Sequence, residues 1–212
     1  MVIVIGGMIG LGKTTTAKIL SERLSLPVYY ESVEGNKVLP LFYKASREEK
    51  ERNRYPFLLQ LSFLSNRYGS IRKALLEDNA ILDRSIYEDS YFASRNHDLG
   101  NISDLEMEIY DNLLDQLLSA LKSLPKKAPD VMVYLKGSFD TVLKRIAARV
   151  RSFELGEELV SYYHFLWEDY DRWVMDAYKA SPIIVLDVDK VDIQENPKDL
   201  ALLLEALQPY RK

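Results

Sequence analysis

The residues from Gly7 to Thr14 have the spacing of a phosphate cradle: Gly7-Met8-Ile9-Gly10-Leu11-Gly12-Lys13-Thr14 fits Gly-x-x-x-x-Gly-Lys-Ser/Thr. Glycines let successive backbone N–H groups curl around phosphate oxygens without Cβ clashes. A helix opening at Lys13 turns its positive end toward the same anion. Lys13 supplies charge for the β- and γ-phosphates and Thr14 a hydroxyl for Mg²⁺, with Thr15 continuing the cradle. Asp83 ends the apolar run Ala80-Ile81-Leu82, and a carboxylate at the end of a buried strand is the usual second protein ligand for that magnesium. Thr14 and Asp83 are therefore the expected metal residues. A glycine turn of this pattern arises by chance in on the order of one chain in a hundred, but here an apolar strand precedes it and a helical pattern follows.

The elements that must position these groups can be read from periodicity. Residues 2–6 read as a fully buried strand ended by glycine, and 13–24 as a helix with Ala17, Leu20 and Leu24 on one face. Val28-Tyr29-Tyr30 reads as a second short strand. Val38 to Tyr43 reads as a helical turn, and the charged stretch Lys44 to Arg54 as an exposed loop or short helix. A long helix is expected over 56–77, with Pro56 in its first turn. A third strand covers 80–82 and ends at Asp83. Helices follow near 86–96 and 103–123, the latter opening on Ser103-x-x-Glu106. Further strands are expected at 131–135 and 183–186, with helices near 138–149, 156–178 and 197–207. Strands alternating with helices imply a parallel sheet covered on both faces, an α/β fold.

Composition narrows the function classes. The 212 residues suit one domain with a sizeable core. A net charge of −4 and a pI near 5.4 argue against a protein that coats nucleic acid. No cysteine is present, which removes disulfides and thiolate metal sites and fits a reducing compartment. His97 and His164 have no metal-ligand spacing. The first apolar run breaks at Gly6-Gly7, far short of the roughly 20 residues that span a bilayer. With no basic leader before it, a cytoplasmic protein with no membrane partner is expected.

A more specific pattern runs through the chain: Tyr30-Glu31, Val38-Leu39-Pro40-Leu41-Phe42-Tyr43, Phe57 to Gln60, Asp83-Arg84-Ser85-Ile86-Tyr87-Glu88-Asp89, and Arg145 to Glu154. In content and order these resemble the deoxyribonucleoside kinases. The resemblance implies the P-loop nucleoside kinase fold, a five-stranded parallel sheet flanked by helices with a basic lid at about 145–155. It also implies a homodimer, ATP or another nucleoside triphosphate with Mg²⁺ as cofactors, and transfer of the γ-phosphoryl group to the 5′-hydroxyl of a deoxynucleoside.

Each carried-over position has its own chemistry. Glu31 follows the second strand and resembles the family's general base, which takes the hydroxyl proton during attack. Arg84 resembles the arginine that steadies base and phosphoryl group. Gln60 lies in a helix apolar nearly all round, where a buried amide needs partners, and resembles the glutamine that reads a base edge. Arg67, two turns further on, and Asp89 resemble the base-contacting pair of members that take purine deoxynucleosides and deoxycytidine. Tyr43 and Glu154 resemble the residues that hold the sugar 3′-hydroxyl. Arg145, Arg149 and Arg151 resemble the lid arginines, with Val150 where the family pattern usually has glycine. Asp187 and Val188, followed by Asp189, resemble the loop against the ATP base. The aromatic run Tyr162 to Trp167 has helical spacing and is assigned to the core.

Two other readings share parts of this pattern. A monophosphate kinase of thymidylate type shares the cradle and an Asp-Arg pair, but its acceptor is already ionised and needs no carboxylate base. A nucleotide-binding regulator without turnover would not need the full set of base, metal and arginine positions.

Overall fold

The computed structural model describes residues 1–31, 35–148 and 157–211. The chain runs β1 Val2–Gly7, α1 Lys13–Leu24, β2 Val28–Tyr29, α2 Leu39–Lys44, α3 Arg47–Asn53, α4 Tyr55–Glu77 and β3 Ala80–Asp83. A 3₁₀ turn, Ile86–Glu88, leads into α5 Asp89–Asp98, followed by α6 Asp104–Lys122, β4 Val131–Lys136 and α7 Phe139–Ala148. Then come α8 Glu157–Glu168, α9 Tyr170–Asp176, β5 Ile183–Asp187, α10 Pro197–Leu207 and a closing 3₁₀ turn, Gln208–Tyr210.

The strands form one parallel sheet in the order β2-β3-β1-β4-β5. β1 lies at its centre, with Ile3 opposite both Ile81 of β3 and Val131 of β4. Helices cover both faces of the middle strands, so every residue of β1 and β3 is buried and both read as unbroken apolar runs. β5 has one neighbour only, and Val185 is exposed. Chain order departs from β1 in two directions, toward β2 on one side and β4 on the other. The crevice above the carboxyl ends of β2, β3 and β1 is therefore where a ligand is accommodated in such sheets.

Two elements, the second strand and the segment 156–178, differ from the sequence reading, while the charged stretch takes the helical one of its two expected forms. Tyr30 is exposed and lies outside the second strand. The charged stretch holds a helix, α3, opened by a reciprocal cap in which Ser46 accepts from the Glu49 N–H and Glu49 accepts from the Ser46 N–H. No residue of α3 is buried, so capping and not burial accounts for it. The expected single helix over 156–178 is two helices with a break at Asp169. Side chains of α5 cause the break: Arg95 donates to the Phe165 carbonyl from Nε at 3.2 Å and Nη2 at 2.5 Å, and the Tyr91 hydroxyl donates to the Leu166 carbonyl at 2.6 Å. Those carbonyls are the ones the next helical turn would have used.

Candidate active site

β1 delivers the glycine-rich turn to the sheet's carboxyl edge. Gly7 has φ 146°, and a Cβ there would lie 2.9 Å from the Leu135 carbonyl oxygen, so only glycine fits between β1 and β4. Gly12 has φ 95° and opens α1 from the left-handed region. Met8, Gly10 and Leu11 are buried, Ile9 and Gly12 half-buried, and Thr14 and Thr15 exposed at the mouth. Lys13 is buried, and its ammonium donates to the Met8 carbonyl at 3.0 Å. Burial, helped by the nearby Arg84 charge, lowers its pKa to about 7. Arg145 of α7 donates from Nη1 to the Leu11 carbonyl at 2.6 Å, so its guanidinium lies on the cradle.

Asp83 ends β3 beside this turn. Its Oδ2 accepts from the Thr14 hydroxyl at 2.6 Å, while its buried Oδ1 has no partner among the described residues. Burial pushes the carboxyl above its ordinary pKa. An orphaned carboxylate oxygen next to a threonine hydroxyl fits a hard cation. No cluster of three or more His, Cys, Asp or Glu among the described residues could hold a metal by itself. Such a sparse protein set suits magnesium, which keeps waters and takes phosphate oxygens.

Arg84 follows with φ 71°, a left-handed conformation that costs a non-glycine residue on the order of 1 kcal/mol. Its side chain is fixed on every side. Nη2 donates to the Gly7 carbonyl at 2.9 Å, Nη1 to Glu88 Oε1 at 3.4 Å, and Nε lies 3.6 Å from Glu31 Oε1. Its guanidinium carbon also sits 4.4 Å from the centroid of the Phe92 ring. Burial pulls its pKa down, but the Glu88 and Glu31 charges more than offset this and raise it.

Glu31 lies just beyond β2. Oε1 accepts from Arg67 Nη2 and faces Arg84, and Oε2 has no hydrogen bond among the described residues. Burial works to raise its pKa, yet Arg67, Arg84 and Lys13 outweigh this and hold it at about 2. Arg67, buried on α4, spans two carboxylates: Nη2 reaches Glu31 and Nη1 reaches Asp89 at the start of α5. Its Nε is buried without a partner among the described residues. Gln60, two turns earlier on α4, is also buried and makes no side-chain hydrogen bond among those residues. Tyr43 on α2 packs edge-on against Phe42, in an apolar cluster with Leu39, Leu59, Phe63 and Tyr162.

The structure thus brings together Lys13, Glu31, Arg67, Asp83, Arg84 and Asp89, with Gln60 two turns before Arg67 on α4. Asp187 and Val188 lie apart from them, beyond the other half of the sheet. Asp187 pairs with Lys190 at 2.7 Å, and the Val188 N–H donates to the Lys136 carbonyl at 2.8 Å. A Cβ at Gly137 would meet both Leu11 of the cradle and Val188, so this loop does border the glycine turn. Arg149, Arg151 and Glu154 lie outside the described residues. Tyr163 and Leu166 are buried, as expected of a core segment.

Two residues of the site were missed by sequence reasoning, Glu88 and Tyr170. Glu88 is fully buried and accepts from the Gly7 N–H at 3.2 Å, the Ser85 N–H at 3.2 Å and the Tyr170 hydroxyl. A signal for it existed in Ser85-x-x-Glu88, the spacing at which a glutamate folds back onto a helix start. Nothing in the sequence pairs Tyr170 with it.

The family model described as deoxynucleoside kinase matches residues 3–208. A deoxyguanosine kinase of Lactobacillus acidophilus is 41% identical over 209 residues, covering 97% of this chain and 89% of the relative. A deoxyadenosine kinase of the same organism is 40% identical over 198 residues, covering 92% and 89%. Among solved structures, deoxyadenosine kinase from M. mycoides with bound dATP superimposes with TM-score 0.79 at 27% identity, covering 98% of this chain and 100% of that one.

Proposed function

The chain belongs to the deoxynucleoside kinase family, and from that premise we propose that it transfers the γ-phosphoryl group of ATP to the 5′-hydroxyl of a purine deoxynucleoside. The observation that carries the acceptor assignment is the single guanidinium of Arg67, joined to both Glu31 and Asp89, beside a buried Gln60; neither Arg67 Nε nor the Gln60 amide has a hydrogen-bond partner among the described residues. Gln60 offers a donor and an acceptor in one plane, and Arg67 and Asp89 add a donor and an acceptor next to it. Relatives named for deoxyguanosine and deoxyadenosine support a purine, with deoxycytidine as a secondary acceptor.

The donor's phosphates lie along the backbone from Gly7 to Thr15, with Lys13 and Arg145 as cationic contacts and Arg149 and Arg151 closing over them. Asp187 and Val188 border its base. Magnesium, held through Thr14 and Asp83, supplies charge neutralisation on the phosphates when bound. Tyr43 and Glu154 hold the sugar 3′-hydroxyl, which places the 5′-hydroxyl before Glu31. A carboxylate held at about 2 is a weak base, but it is always ionised and its Oε2 is free to accept. Phosphoryl transfer proceeds through a loose transition state, in which the nucleophile loses its proton late. Orienting the hydroxyl and receiving that proton at the end suffices. Arg84 faces both the cradle and Glu31, where it neutralises charge on the moving group.

The enzyme is one domain, acts in the cytoplasm, and pairs through α4 and α6 as a homodimer. The described residues contain no helix long and apolar enough to cross a membrane.

The test is phosphoryl transfer from ATP with Mg²⁺ to each of the four deoxynucleosides and to thymidine monophosphate. Turnover of deoxyguanosine or deoxyadenosine is expected; turnover of thymidine monophosphate alone would return the site to a monophosphate acceptor. Glu31→Gln should lower kcat by roughly 10²–10⁴ with nucleoside binding largely kept. Near-normal turnover of that variant would remove Glu31 from its role.

A further inference from the structure

Glu88 is fully buried, yet the reaction as described gives it nothing to do. A carboxylate without solvent is costly unless its oxygens are partnered, and here donors from three distant parts of the chain converge on it. The Gly7 N–H, Arg84 Nη1 and the Tyr170 hydroxyl reach Oε1, and the Ser85 N–H reaches Oε2. Both backbone polar groups of Gly7 are held: Glu88 accepts from its N–H, and Arg84 Nη2 donates to its carbonyl at 2.9 Å. Gly7, Glu88 and Arg84 therefore close a ring of contacts at the start of the phosphate cradle. The remaining guanidinium nitrogen, Nε, faces Glu31 at 3.6 Å, beyond hydrogen-bond length.

We propose that Glu88 is a positioning residue for phosphoryl transfer: it locks Arg84 to the first glycine of the cradle and keeps the guanidinium from collapsing onto Glu31. Two charges compete for Arg84, and both are carboxylates. With Glu88 in place, two of the arginine's nitrogens are committed to the Glu88–Gly7 side. Without that charge, the buried guanidinium has Glu31 as its nearest anion, and full pairing there would occupy the oxygens that must receive the hydroxyl proton. The left-handed backbone at Arg84 aims the side chain back at Gly7 and is maintained by the same contacts. Tyr170, at the start of α9, adds a neutral donor that keeps the Glu88 carboxylate in place.

The proposal rests on the roles assigned above to Arg84 and Glu31, and a double-mutant cycle separates it from them. Wild type, Glu88→Gln, Arg84→Lys and the double variant are assayed for kcat and for KM of both substrates, with thermal midpoints recorded. Glu88→Gln is expected to lower kcat about 10- to 100-fold while nucleoside KM stays within about three-fold, and the double variant should be no slower than Arg84→Lys alone. Should Glu88→Gln yield no folded protein, Tyr170→Phe carries the same test, with a fall in kcat of about three- to ten-fold that vanishes in the Arg84→Lys background. Wild-type turnover of Glu88→Gln would overturn the proposal, as would losses that multiply in the double variant, the pattern of a merely structural group. Full turnover of Arg84→Lys would instead refute the role of Arg84, and the positioning role with it.

Discussion

At the scale of single residues, burial acts oppositely on Lys13 and Glu31. For Lys13 burial dominates, with Arg84 adding to it, and the pKa falls to about 7. For Glu31 burial is outweighed by Arg67, Arg84 and Lys13, and the pKa falls to about 2. Since the Glu31 value is depressed on folding, its contribution to stability is complete above the ordinary carboxylate range. That contribution is lost only as pH drops through about 4.5 toward 2. The Lys13 value has a consequence at mild pH. With its pKa lowered to about 7, Lys13 should be partly neutral in the free protein at pH 8, and a bound triphosphate that restored its charge would take up a fraction of a proton. Calorimetry in buffers of different ionisation enthalpy measures that uptake, and Lys13→Arg, which stays charged, should abolish it. Equal uptake in both proteins would assign the proton elsewhere. Lys13, Glu31, Arg67 and Arg84 were legible in the sequence because short motifs carry them in a fixed order. The pairing of Glu88 with Tyr170 was not, because the two are 82 positions apart and only the fold brings them together.

At the scale of elements, the central strands were legible because burial on both faces leaves an unbroken apolar signature. The join between α8 and α9 was not. Apolar spacing continues through Asp169 with Tyr163, Leu166, Tyr170 and Val174 all buried, so periodicity alone reads one helix. The break comes from hydrogen-bond competition by Arg95 and Tyr91 on another helix, which a one-dimensional pattern does not contain. Arg95 also stacks on Phe165 and pairs with Asp98, Glu168 and Asp169. Arg95→Met should therefore destabilise the protein by about 1–3 kcal/mol, read by denaturant unfolding, as the Phe165 carbonyl and the three carboxylates lose their donor. A change below about 0.5 kcal/mol would show the break to be maintained by Tyr91 alone.

For the whole molecule, Leu105, Ile109 and Leu113 form an exposed stripe at helical spacing on α6, and Leu58 and Leu76 are exposed on the neighbouring α4. A stripe of this kind is costly in water and suits a second copy of the chain. Ile109→Glu should convert a dimer into a monomer by sedimentation analysis while leaving the fold intact. A wild-type chain that sediments as a monomer at all concentrations would remove the homodimer from the proposal.

The sheet order itself sets a length. Glu31 follows β2, Asp83 and Arg84 follow β3, and the cradle follows β1, three adjacent strands in one sheet. In the proposed reaction, proton acceptor, charge neutraliser and phosphate donor site would therefore stand at the ends of strands roughly 4.8 Å apart, laid out crosswise to the chain direction. Backbone hydrogen bonds act as a ruler for the reaction, and side chains need only the last few ångströms. The residues proposed to choose the acceptor, Gln60, Arg67 and Asp89, stand on α4 and α5, off the ruler. On that proposal, recognition could be rebuilt on those helices while the span between base and phosphate stays fixed, so that one scaffold would serve several nucleosides with a single chemistry.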